Sequence, residues 1–192
     1  MVKNPNHPRS GSKTTVDPIR DLDAIKAIKK NLSGNAMYYC LFTIGLNTAL
    51  RASDLCRLTA GDVRDKKVVD IKEKKTSKIR KIDLNNKCVD SIKKLLASRP
   101  YRDDEQLFYG QRGGIKPNSI NKLVKAWTDA VNLSGNFGSH SLRKSWGYHQ
   151  FVNYKIPLHL LMIAFNHSSE RQTSAYIGVQ PNEIADIYKN EL

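Results

Sequence analysis

A chain of 192 residues, 40% hydrophobic and 26% charged, has the composition of a folded protein and the length of one domain. At that size folding buries roughly 70% of the extended-chain surface, so neither a disulfide nor a structural metal is required. Thirty-two Lys and Arg against 18 Asp and Glu leave a formal charge of +14, which points to a polyanionic partner, nucleic acid ahead of an anionic membrane.

The first residues, Met1–Val16, are rich in Lys, Asn, Pro, Ser and Gly and lack hydrophobic period; they read as a flexible basic tail without signal-peptide character. Asp17-Pro18 offers a cap with proline at a first helical position, and Asp21 is a second candidate cap. Leu22, Ile25, Ile28 and Leu32 follow at helical spacing. After Ser33-Gly34, Ala36 to Leu46 is apolar all round and predicts a buried helix. It leads to Arg51, with Ser53 as candidate cap of a short helix and Asp54 three residues on. Asp54 either neutralises Arg51 inside the core or orients it into a cleft.

Val68 to Leu84 alternates as a hairpin or three-stranded sheet, with a turn crowded by Lys72, Lys74, Lys75 and Lys78. Such a turn is an ordinary solvated loop, or a rigid means of carrying one ammonium into a groove. Cys88, Val89, Ile92, Leu95 and Leu96 mark an amphipathic helix ending near Arg99-Pro100. The glycine-rich GQRGG after Leu107-Phe108-Tyr109 fits no nucleotide-binding pattern. Ile120, Leu123, Val124, Trp127 and Val131 form the next stripe, with Ser119 as candidate cap and Trp127 facing the core. His140 and Arg143 share a face at a helix start. Leu158, Leu161, Met162 and Phe165 drive a helix that delivers His167; Ser168 then caps a short helix carrying Tyr176 and closed by Gly178. Asn182 to Leu192 reads as a last amphipathic helix with Ile184, Ile187 and Tyr188 on one face.

Cys40, Cys56 and Cys88 are odd in number, form no C-x-x-C pair and suggest no zinc ligand set. A reducing, cytoplasmic setting is expected, with no metal and no cofactor. No apolar run approaches the roughly 18 residues of a membrane span.

Arg51, Lys75, His140, Arg143, His167 and Tyr176 together match one chemistry. Cleaving a DNA phosphodiester without metal takes an oxygen nucleophile, guanidinium forks for the phosphate oxygens, and a proton donor for the leaving oxygen. Each residue alone has an ordinary structural reading, since Tyr176 is one of eight tyrosines. Order and spacing raise the set above that.

The chain resembles the catalytic domain of the tyrosine recombinases: phage integrases, Xer-type resolvases and fimbrial-switch invertases. GLNTALRASDL resembles the family's first arginine box and assigns Arg51 and the supporting acid Asp54. KTS resembles its hairpin Lys-Thr-Gly and points to Lys75, with Lys74 and Lys78 nearby. HSLR matches H-x-x-R at His140 and Arg143, and FNHSS matches Leu-Gly-His-Ser-Ser at His167, nine residues before Tyr176. Asp54 stands where Glu is commoner, and Asn166 where Gly is.

The resemblance covers nearly all of residues 17–192 and implies an α+β, mostly helical domain with a small antiparallel sheet or hairpin at one edge. It implies site-specific recombination of double-stranded DNA by a homotetramer on paired sites, through a 3′-phosphotyrosyl intermediate. Tyr176 is the implied nucleophile, Lys75 the general acid, and the C-terminal helix a candidate for docking on a neighbour. No separate amino-terminal DNA-clamping domain is seen, as in a compact member or an excised catalytic fragment. A type IB topoisomerase and a non-cleaving DNA-binding regulator are the alternatives on the same fold.

Overall fold

The computed structural model describes residues 15–72, 79–110 and 113–179. The tail up to residue 14, the turn lysines Lys74, Lys75 and Lys78, and the expected helix from Asn182 to Leu192 lie outside the described residues.

Helix α1 (Leu22–Leu32) starts where Asp21 accepts the backbone N–H of Asp23, so Asp21 is the cap. Asp17 instead accepts the N–H of Asn136, tying the entering chain to a distant loop. Helix α2 (Ala36–Asn47), capped by the Asn35 side chain, buries Cys40, Leu41, Phe42 and Ile44 and forms the spine of the core. Helices α5 and α7 pack on it.

After α2 come two single-turn helices, α3 (Ala52–Leu55) and α4 (Ala60–Val63). Ser53 lies inside α3 and does not cap it; Arg51 holds the N-cap position without a side-chain cap bond. Thr59 and Asp62 close a capping box on α4. Strands β1 (Val68–Lys72) and β2 (Ile79–Asp83) pair antiparallel, with Val69 opposite Ile82 and Ile71 opposite Arg80. Among the described residues this sheet has two strands. Strand alternation buries Val69, Ile71 and Ile82 and places Arg80 on that same inner side.

Helix α5 (Asn86–Ala97) is capped by Asn85 and buries Cys88, Ile92 and Leu95. Of the GQRGG stretch, Gly110, Gly113 and Gly114 lie in a second, minimal antiparallel pair, β3 (Tyr109–Gly110) with β4 (Gly113–Gly114). Helix α6 (Pro117–Asp129) has Pro117 at its first turn and Lys116 at the N-cap position, so Ser119 is inside the helix. Trp127 is core, edge-on to Phe42 at 5.6 Å. The three thiols are free and buried, with burial holding Cys40 and Cys88 at about 12 and Cys56 at about 11.

Helices α7 (Ser139–Val152), α8 (Leu158–Phe165) and α9 (Glu170–Ile177) complete the described fold. Ala49, Leu161, Phe165 and Ile177 form a small second core, flanked by Trp146 and Tyr176. Gly147 makes this packing possible: a Cβ there would lie 2.5 Å from Phe165 Cζ and 2.7 Å from Ile177 Cγ2. The segment leading into α1 straps α7. Ile19 N–H donates to Ser145 Oγ, and His149 Nε2–H donates to the Ile19 carbonyl. Arg20 then reaches the Gly178 carbonyl at the end of α9.

Candidate active site

The second core carries the candidate residues on four elements. Arg51 enters from the α2–α3 junction, His140 and Arg143 from the first turns of α7, His167 from the end of α8, and Tyr176 from α9. Arg143, only 3% exposed, donates from Nη1 to the Ala49 carbonyl and from Nη2 to the Phe165 carbonyl at 2.9 Å. Two backbone carbonyls therefore orient the guanidinium before any ligand arrives. Its charge also acts on Tyr176.

Tyr176 Oη lies 3.5 Å from His140 Nδ1. Burial pushes the phenol above its ordinary value, while Arg143 and then Arg51 pull it back down. His140 is held below the ordinary imidazole value, first by desolvation and then by Arg143, Lys144 and Arg51. A neutral imidazole beside the phenol has a lone pair that can receive its proton.

His167 follows Asn166, which ends α8 in the left-handed region at φ 53°. Asparagine is among the few non-glycine residues that enter this region readily, so it substitutes there for the glycine of the resembled motif. The His167 ring is fixed by Thr173. Thr173 Oγ1 lies 3.1 Å from the Ser169 carbonyl and 3.1 Å from His167 Nδ1. Ser169, not Ser168, caps α9 by accepting the Gln172 N–H; Ser168 bonds the Gln172 side chain instead. Gly178 closes α9 at φ 72°.

Asp54 is buried on α3, its N–H bonded to the Arg51 carbonyl. Lys75 is outside the described residues, so the site is described without it.

Three further residues join the site that periodicity alone did not assign to it. The Phe165 ring stacks on His167 at 5.1 Å and 19°, meets Tyr176 edge-on at 5.2 Å, and lies under the Arg143 guanidinium at 4.8 Å. In the sequence it was only one member of a helical stripe. Lys144 is 8% exposed, with its ammonium 5.2 Å from the centre of the Tyr176 ring. Burial lowers its pKa, opposed by Asp17. Arg80 reaches the same region from β2, bonding the Ala164 and Thr48 carbonyls. Among the described residues, no group of three or more His, Cys, Asp or Glu side chains could hold a metal.

Residues 20–183 match the Phage integrase family. The chain is 35% identical over 179 residues to the probable integrase/recombinase YoeC of Bacillus subtilis (strain 168), covering 91% of this chain and 96% of that protein. It is 28% identical to the tyrosine recombinase XerC of Caldanaerobacter subterraneus subsp. tengcongensis, covering all of this chain but 57% of XerC. The fold is similar to that of XerA recombinase (TM-score 0.77, 17% identity, 93% of this chain and 66% of that one). It is also similar to that of the XerH site-specific recombinase bound to palindromic difH substrate (TM-score 0.72, 21% identity, 94% and 55%). XerC and XerH are thus spanned over little more than half their lengths. This match along most of the chain, on a fold shared with XerA and XerH, means that the chain belongs to the phage integrase family and is a tyrosine recombinase catalytic domain.

Proposed function

We propose that this domain cleaves and rejoins double-stranded DNA at specific sites, with Tyr176 as nucleophile. The observation that carries this reading is the convergence on Tyr176 of His140, at 3.5 Å, and Arg143, which shares the Phe165 ring with it, at a site one face of which is Phe165 and His167. Tyr176 Oη attacks the scissile phosphorus, forming a P–O bond to tyrosine as the bond to the 5′-oxygen breaks. His140 takes the phenol proton, and Lys75 supplies a proton to the departing 5′-oxygen. Arg51, Arg143 and His167 hold the non-bridging oxygens as charge builds on them, an effect that a preorganised, partly desolvated site strengthens.

The product is a 3′-phosphotyrosyl link and a free 5′-hydroxyl. That link conserves the phosphodiester's energy, so rejoining to a partner strand draws on no ATP. Exchange between two duplexes calls for four copies of the domain. The excess of Lys and Arg gives phosphate binding that weakens steeply with salt.

The test is covalent trapping. Wild type and Tyr176→Phe are incubated with nicked duplexes drawn from DNA flanking the gene and run on a denaturing gel. A slow band confined to the wild type, with binding retained by the variant, supports the reading. A band that survives in Tyr176→Phe removes the nucleophile assignment. Absence of any band with the wild type reduces the function to DNA binding.

A further inference from the structure

Two arginines from different elements grip the same pair of backbone segments. Arg143, on α7, donates to the carbonyls of Ala49 and Phe165. Arg80, on β2, donates to the immediately preceding carbonyls, Thr48 at 2.7 Å and Ala164 at 2.8 Å. One segment is the turn that delivers Arg51, and the other is the helix end that delivers His167.

Both segments contain backbone that needs holding. Ala49 has φ 53°, in the left-handed region where a Cβ crowds the carbonyl, and it is fully buried. Asn166, directly after Phe165, also has φ 53°. A non-glycine residue persists there when its surroundings over-determine it. Here the carbonyls of Thr48 and Ala49 are bonded by two separate guanidiniums, as are those of Ala164 and Phe165. Arg80 acts on the backbone here, through two carbonyl oxygens. Its inward position, opposite Ile71 in the ladder, commits it to the carbonyls.

We propose that Arg80 is a positioning residue for strand cleavage: with Arg143 it locks the Thr48–Ala49 turn to the Ala164–Phe165 helix end, and so sets the aim of Arg51, Arg143 and His167 on the scissile phosphate. The same contact couples the β1–β2 pair to the cleft. The inference rests on the cleavage reading above.

The test is a double-mutant cycle. Single-turnover adduct formation at saturating protein, and DNA affinity by fluorescence anisotropy, are measured on a nicked duplex from DNA flanking the gene. The proteins are wild type, Arg80→Gln, Arg80→Lys, Arg143→Lys and the Arg80→Gln/Arg143→Lys pair. A misplacement of the clamp by about 1 Å lowers the adduct rate on the order of 10²-fold, so a loss of that size is expected for Arg80→Gln, with affinity within about twofold. Arg80→Lys is expected to be intermediate. In the Arg143→Lys background, Arg80→Gln costs much less than it does alone, because both act through one clamp.

Arg64 is the control. It braces Asp103 and the Tyr101 carbonyl away from the site, and Arg64→Gln lowers melting temperature without slowing cleavage. Wild-type rate in Arg80→Gln, equal fold-losses in both backgrounds, or a parallel loss of affinity would each overturn the role of Arg80. No adduct with the wild type would overturn the cleavage reading and this inference with it, which separates the two failures.

Discussion

Replacing Gly147 by alanine tests whether the position of Tyr176 depends on close packing of α7 against α8 and α9. The new Cβ would stand 2.5 Å and 2.6 Å from two atoms of the Phe165 ring and 2.7 Å from Ile177 Cγ2, where ordinary contact begins at 3.4 Å. Phe165 has no room to rotate, because Trp146, His167 and Tyr176 pack around its ring. Helices α8 and α9 must therefore retreat by nearly 1 Å, at the ~1–3 kcal/mol typical of overpacking. For a domain of this size, melting falls by about 2–4 °C per kcal/mol. Tyr176 adjoins Ile177 in the chain, and a displacement of that order costs roughly 10²-fold in rate. Thermal melting, DNA binding and single-turnover adduct formation together form the assay. Lower melting, unchanged binding and slow adduct formation are expected. A variant that melts and cleaves like the wild type would refute the tight packing and its link to Tyr176.

Phe165→Leu keeps an apolar side chain but removes the ring shared by Arg143, His167 and Tyr176. A loss of ~1 kcal/mol beyond burial and a several-fold slower adduct are expected, measured by denaturant unfolding and trapping. A phosphate held by a His167 imidazolium, through Nε2 with Nδ1 on Thr173, takes up a proton on binding. Calorimetry of DNA binding in two buffers of different ionisation enthalpy reads that uptake. His167→Gln, an amide donor that does not titrate, should bind with less uptake, and equal uptake would exclude the imidazolium. His140 and His149 are both held below the ordinary 6.5, chiefly by burial. The unfolded state therefore binds more protons than the native state just below that pH. Their contribution to stability is complete above 6.5 and is lost as pH falls toward the folded values. Melting temperature should drop on acidification through that window, and His149→Gln should flatten the slope; an unchanged slope would remove His149 as a source.

The order of the motifs made much of the site legible. His140 and Arg143 open one helix, His167 ends another, and Tyr176 lies on the next, as their spacing and flanking glycine and serine residues suggested. Adjacent serines defeated the cap assignment, because Ser168 and Ser169 offer the same hydroxyl and only the backbone decides between them. Similarly, a two-residue strand such as β3 is too short for alternation to declare itself. Arg80 could not be found from periodicity. Its partners are 32 and 84 residues away, and a β-strand arginine at an inward position looks like any hairpin cation until the fold closes. Phe165 was legible as core but not as a shared platform, since aromatic geometry is a property of the assembled helices. Lys144 was hidden for the same reason.

The strap from Asp17 to Arg20 gives the entry point of this domain mechanical consequences. It is pinned to the Asn136 loop, runs across α7 at Ser145 and His149, and ends with a guanidinium on the last turn of the helix bearing Tyr176. Tension or torque applied to the chain at Thr15 is thus delivered to the helix that bears Tyr176 with little slack. A solubility partner or purification handle joined upstream becomes a lever on Tyr176, whereas trimming through Arg20 unhooks that helix without touching any residue of the cleft.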